Sequence, residues 1–307
     1  MKKDILIFVL IVVIFLIIAL LILSDSNSKI EQVENPEENN VLGNMEDTSL
    51  KFKGEIMIED IGKYEFNPKD IRTVRKDIFK EGRFSVFDIL VYLDEKGDIN
   101  MKYHLDEDVN THVIDSINNK EDWWYMTYYD GGWPENNVFR MDHYPYKDKM
   151  YIRIEQYNPK QLQEIYDVFE EEIIRKNKND KLIIPKVIIK APNTDLEFEN
   201  VEVTPHNLRN DVFQDGVITA IDVILSLGDK DKLNYDLQWY ESIGSAGIVK
   251  SYWVERINED KAHRRCGFVY EAGSNKYQGF RGNHIHLPSD TRVLNSPEYE
   301  EYFWICL

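Results

Sequence analysis

Asn283-His284-Ile285-His286 sets two imidazoles at alternate positions, and on a strand alternate side chains share one face, so the pair could chelate a metal together. Two ligands are too few for a structural zinc site, and spacing names no third. His284 and His286 are therefore weak metal candidates beside the plainer reading of hydrogen-bonded histidines. Cys266 and Cys306, the two cysteines of the chain, are candidates for a disulfide, because the strands that carry them fall close together if the sequence folds as one sheet. Residues 123–134, WWYMTYYDGGWP, pack three Trp and three Tyr around a Gly-Gly turn. Rings at that density stack on sugars, flat ligands or a protein partner, or else fill a sheet interior. On an extended strand Trp123, Tyr125 and Tyr129 point one way, with Trp133 beyond the turn, and these four are the candidate ligand-binding surface. Cover by a neighbouring domain or helix is the competing reading.

No catalytic constellation accompanies them. The chain has no G-x-S-x-G, phosphate loop, G-x-G-x-x-G, H-E-x-x-H or C-x-x-C. Acidic turns at 94–98 and 228–232 lack the central Gly and closing Glu of a calcium loop. Catalytic residues are expected to be none, and no cofactor is read from the residues. A formal charge of −18 argues against nucleic acid as a partner.

The elements that must position these residues begin at the N-terminus. After Met1-Lys2-Lys3-Asp4, the apolar run Ile5–Leu23 is nineteen residues long, enough to cross about 30 Å of hydrocarbon. It exceeds the usual core of a cleavable signal, so residues 1–23 are read as an uncleaved transmembrane signal anchor. Lys2 and Lys3 ahead of the span keep the N-terminus cytoplasmic and send the bulk out. The expected location is a single-pass cell-membrane protein with its working part outside. Residues 24–51 are polar and acidic and read as a flexible stalk. Around 158–184, Leu162, Ile165, Tyr166, Phe169 and Ile173 fall on one helical face, which predicts an amphipathic connecting helix and linker.

An internal repeat organises the rest. Residues 75–101 and 209–235 align without a gap, and eight of 27 pairs are identical: Arg75/Arg209, Asp77/Asp211, Phe79/Phe213, Gly82/Gly216, Asp88/Asp222, Leu93/Leu227, Lys96/Lys230 and Asn100/Asn234. Ser85-x-x-Asp88 and Thr219-x-x-Asp222 put a hydroxyl and a carboxylate at a helix start in both copies. Strand-like stretches precede and follow each helix. The predicted fold is α+β: two tandem domains, 52–157 and 185–307, each a mixed sheet with one packed helix.

A strand, a Ser/Thr-x-x-Asp helix start, an aromatic strand ending in Gly-Gly and a closing strand resemble the β-grasp-like domain at the C-terminus of transcobalamin and intrinsic factor. The first copy carries the resemblance on Ser85, Asp88, Leu90, Trp124, Met126, Tyr128, Gly131 and Gly132. The second carries it on Thr219, Asp222, Phe268, Tyr270 and Gly273. The resemblance implies that Trp124, Met126 and Tyr128 lie under the helix, aligned with Cys266, Phe268 and Tyr270. It also implies a cobamide as one class of ligand, although the helical barrel that holds cobalamin in the carriers has no counterpart in this sequence. The functional expectation is a non-catalytic extracytoplasmic binding or interaction protein for a small molecule, glycan or envelope protein. An architectural spacer or assembly subunit is the alternative, and an exported enzyme a third.

Overall fold

The computed structural model describes residues 49–128, 135–136, 139–242, 247–275, 281–283 and 287–306. The anchor 1–23, nearly all of the stalk, and Tyr129, Trp133, His284 and His286 lie outside the described residues. Among those described, no helix is long and apolar enough to cross a membrane.

The order of elements repeats, with one additional two-residue strand, Asp260–Lys261, in the second copy. The first copy runs β1 (Gly54–Ile58), β2 (Gly62–Phe66), α1 (Val86–Glu95), β3 (Met101–Asp106), β4 (Thr111–Ile117), β5 (Trp123–Tyr128), β6 (Glu135–Asn136) and β7 (Tyr151–Gln156). A linking helix follows, α2 (Pro159–Asn179). The second copy then runs β8 (Ile183–Lys190), β9 (Asp195–Glu202), α3 (Ile221–Asp229), β10 (Tyr235–Tyr240), β11 (Ser251–Ile257), β12 (Asp260–Lys261), β13 (Cys266–Gly273), β14 (Arg281–Asn283) and β15 (Tyr299–Cys306). Five-stranded sheets form with orders β2-β1-β7-β5-β6 and β9-β8-β15-β13-β14, and the central pair is parallel in each, β1 with β7 and β8 with β15. The architecture is mixed α+β, with more strand than helix and several sheets.

Local chemistry explains why both copies fold alike. Asp88 accepts from the Ser85 backbone N–H and hydroxyl, both at 2.7 Å, and Asp222 does the same for Thr219 at 2.6 and 2.9 Å. Ser85 is the N-cap of α1 in a reciprocal capping box, whereas α3 begins one aligned position later, after Ala220, with no side-chain cap bond; the apolar residues of both helices are almost all buried. Gly82 and Gly216 sit at φ +77° and +90° in the turn before each helix, a region that a side chain strains. A β-bulge recurs at Lys102/Tyr103 and Asp236/Leu237. The Asn118 N–H donates to Asn100 O, and Asn258 to Asn234 O, both at 2.8 Å.

Each copy has its own apolar core, and α2 adds Leu162, Ile165 and Phe169 to the first. Burying side chains of this size contributes roughly 1.5–3 kcal/mol each. The two copies nevertheless belong to one compact unit, Thr48–Leu307. Their seam is reciprocal. Lys80 N donates to Val212 O at 3.0 Å and Gln214 N to Ile78 O at 2.8 Å, flanking an antiparallel bridge between Phe79 and Phe213. Ile78, Phe79, Val212 and Phe213 form a small third core there. Residue pairs that align in the repeat thus meet their own equivalents, as in a two-fold interface built within one chain.

Candidate functional site

The described members of the aromatic stretch are inside the protein. Trp123 and Tyr125 are each 1% exposed. Trp123 Nε1 donates to Lys120 O at 2.7 Å, and the Tyr125 hydroxyl donates to Phe139 O at 2.8 Å. The expectation that these two rings form an exposed ligand surface is corrected: they are core.

The assignment of faces is corrected too. Tyr125 pairs with Ile154 and Thr127 with Ile152, and through β7 these share a face with the buried Ile58 and Ile56. Trp124, Met126 and Tyr128 instead oppose Glu155, Arg153 and Tyr151 on the other face. There Trp124 is covered by Tyr166 and Phe169 of α2, with ring centroids 6.0 and 6.4 Å away. In the second copy the Tyr270 hydroxyl donates to Leu287 O at 2.6 Å, the counterpart of Tyr125 to Phe139. Tyr270 therefore matches Tyr125, not Tyr128. A three-position slip is odd, and an odd slip exchanges the two faces of a strand. Cys266 and Cys306 stand opposite each other on β13 and β15 and are joined by a disulfide.

The most elaborate polar arrangement lies at the seam. In the turn after β2, the Arg75 guanidinium grips Asp77 with two hydrogen bonds, 2.9 and 2.7 Å, and its Nη1 donates to Asp142 Oδ2 at 2.9 Å. Asp142 also accepts from the Thr111 hydroxyl, the His112 N–H at 3.0 Å and His112 Nδ1 at 2.9 Å. Burial opposes the Asp142 charge, but His143, His112, Arg75 and Thr111 outweigh it and hold the carboxyl well below its usual range. His143 Nε2 accepts from Arg75 Nη1 at 2.7 Å, and burial lowers its basicity against the pull of Asp142. From the other copy, Asn295 reaches His143 Nδ1 at 3.3 Å and Asn110 at 3.2 Å.

The second copy repeats the frame with altered contents. Arg209 holds Asp211 through two bonds, 2.8 and 3.0 Å, and Asp290 Oδ2 at 2.9 Å, while Asp290 Oδ2 also takes the Tyr252 N–H at 2.8 Å. Asp290 Oδ1 has no partner among the described residues. Lys147 of the first copy enters here, donating to Val249 O at 2.9 Å and Ser251 Oγ at 3.0 Å. Burial pushes its ammonium down to about 7 against the pull of Asp290.

Cavities of about 30 and 20 Å³ adjoin the two seam clusters, far below the few hundred Å³ of a metabolite pocket. No group of three or more metal-ligating side chains occurs among the described residues. Set against family models, characterised proteins and solved structures, the chain matches none.

Arg75/Arg209 and Asp77/Asp211 were visible as identical pairs in the repeat, although nothing in spacing distinguished them from solvated charges. Asp142 and Asp290 were not visible. They lie in MDHYPYK and SDTRVLN, which share the aspartate and no other identical residue.

Proposed function

We propose that the chain is a membrane-anchored, extracytoplasmic, non-catalytic protein whose two β-grasp-like copies act together as an assembly or bracing piece of the cell envelope. The observation that carries this reading is the reciprocal seam around Phe79 and Phe213, which joins the two copies into one body. Internal use of Trp123 and Tyr125 favours bracing over a ring-lined ligand platform. The Cys266–Cys306 bond agrees with an oxidising compartment, where such links persist.

Two measurements test it. A C-terminal fusion to a reporter active only outside the cytosol should give signal in intact cells; signal from a cytosolic reporter instead would overturn the location. A thermal-shift screen of the full chain with cobamides, haem and cell-wall glycans should leave the unfolding midpoint unchanged. A saturable shift with any of them would replace the assembly role by small-molecule binding.

A further inference from the structure

Buried arginines among the described residues are matched by carboxylates: Arg140 by Glu172, Arg75 by Asp77 and Asp142, Arg209 by Asp211 and Asp290. Arg292 departs from that pattern. It is 5% exposed and forms no ion pair among the described residues. Its Nη2 donates to Ala272 O at 2.9 Å, and the guanidinium lies over the Phe139 ring at 3.9 Å. Nε and Nη1 are buried with no partner among the described residues.

Arg292 lines the cavity of about 20 Å³ between the copies, together with Phe139, Arg140, His143, Tyr144 and Asn295. A guanidinium does not shed its proton, so burial cannot neutralise it as it neutralises a lysine or histidine. The charges facing the cavity do not cancel it either. Arg140 and Glu172 balance each other, and burial lowers the basicity of His143. Glu300, on β15 opposite Ala272, has both oxygens without a hydrogen-bond partner among the described residues and forms no ion pair with Arg292 there, and burial raises its carboxyl well above the usual range against the pull of Arg292. A guanidinium with two unanswered N–H donors and no ion pair among the described residues remains.

We propose that this cavity is a binding site for one small monovalent anion of the halide class, held by Arg292 Nε and Nη1. The volume has room for about one or two water-sized groups, which excludes phosphate and sulfate. The site occurs once per chain. The Ala220 N–H donates to Arg292 O as Val86 N–H donates to Tyr144 O, so the position equivalent to Arg292 in the first copy is a tyrosine. This inference concerns charge inside the seam and stands apart from the envelope role proposed above.

The test uses the purified full-length chain in sodium chloride, sodium bromide and sodium gluconate at equal ionic strength. Both halides should raise the thermal midpoint saturably over gluconate. Crystals grown in bromide should give one anomalous peak within hydrogen-bonding distance of Arg292 Nε. R292Q should weaken halide binding at least tenfold, whereas R256Q, which breaks an exposed pair with Asp236, should not change it. E300Q should also leave halide binding unchanged. Equal midpoints in halide and gluconate would overturn the site, as would halide dependence surviving in R292Q. A halide effect that grows strongly in E300Q would show that Glu300 is the counter-charge and overturn it too. If R292Q does not fold, the bromide position in the unaltered protein decides.

Discussion

Phe79 and Phe213, equivalent residues of the two copies, meet with ring centroids 5.6 Å apart across an antiparallel bridge. Each is nearly fully buried by the other's copy and by Ile78 and Val212. The contact is the centre of a seam whose two backbone–backbone hydrogen bonds, Lys80 N to Val212 O and Gln214 N to Ile78 O, mirror each other.

F79A and F213A should therefore destabilise the protein by similar amounts, about 3–5 kcal/mol each. The double variant should cost less than the sum, by about 0.5–3 kcal/mol, because the rings touch. Denaturant unfolding of the full chain measures both, and it should show one transition for the two copies. Separate transitions in the unaltered protein would mean that the seam does not couple them.

D142N should cost about 3–5 kcal/mol, since it leaves the Arg75 guanidinium and the Thr111 and His112 donors around a neutral group. The Asp142 carboxyl is depressed in the fold. Its contribution is thus complete above the unfolded value near 4 and disappears as pH falls through the lower folded value. Acid unfolding followed by circular dichroism should show a shallower acid limb in D142N.

Lys147 has the opposite pH signature to most basic groups in folded proteins. Its amine titrates at about 7 in the fold and near 10.5 when unfolded, so between those values the unfolded chain binds more protons. Stability should rise with pH across that window, by up to about 1.4 kcal/mol per unit. K147M should remove the slope. An unchanged slope in the variant would show that the ammonium is not displaced.

His206 bridges Asp222 and Asp229 at 3.0 and 2.9 Å, and although burial opposes its charge, these carboxylates raise its pKa. The raised value means that its contribution is complete below about 6.5 and is lost as pH climbs through the folded value. H206Q should be less stable than the parent at pH 6 and nearly equal to it at pH 9. Thermal midpoints at the two pH values give the comparison.

C306S, or reduction of the parent, should cost about 2–4 kcal/mol, as expected for a link closing a span of 40 residues. The loss should be equal in C266S and in the double variant. Additive losses would show that the cysteines act separately.

The repeat, the helix starts and most strands were legible because each rests on local chemistry. The Ser85/Asp88 and Thr219/Asp222 pairs announce α1 and α3, and the strand-like stretches after each helix mark β3 and β10. The orientation of β5 was not legible. Its residues are aromatic on both faces, so alternation carried no polarity, and matching Tyr128 to Tyr270 by pattern chose the wrong parity. Only the hydroxyl bonds of Tyr125 and Tyr270 to equivalent carbonyls identify the true partners. The seam was illegible for another reason: Arg75 finds Asp142 67 residues away, and that distance leaves no mark on sequence spacing.

Tethering the two copies through α2 has an evolutionary corollary. A pair of identical subunits must change both sides of its contact at once, whereas a concatenated pair can change one side alone. Lys147 now stands where the other copy has Asn295, and Arg292 where it has Tyr144. Broken symmetry of that kind makes the two sides of the contact chemically distinct, which the two sides of a homodimer's shared patch cannot be.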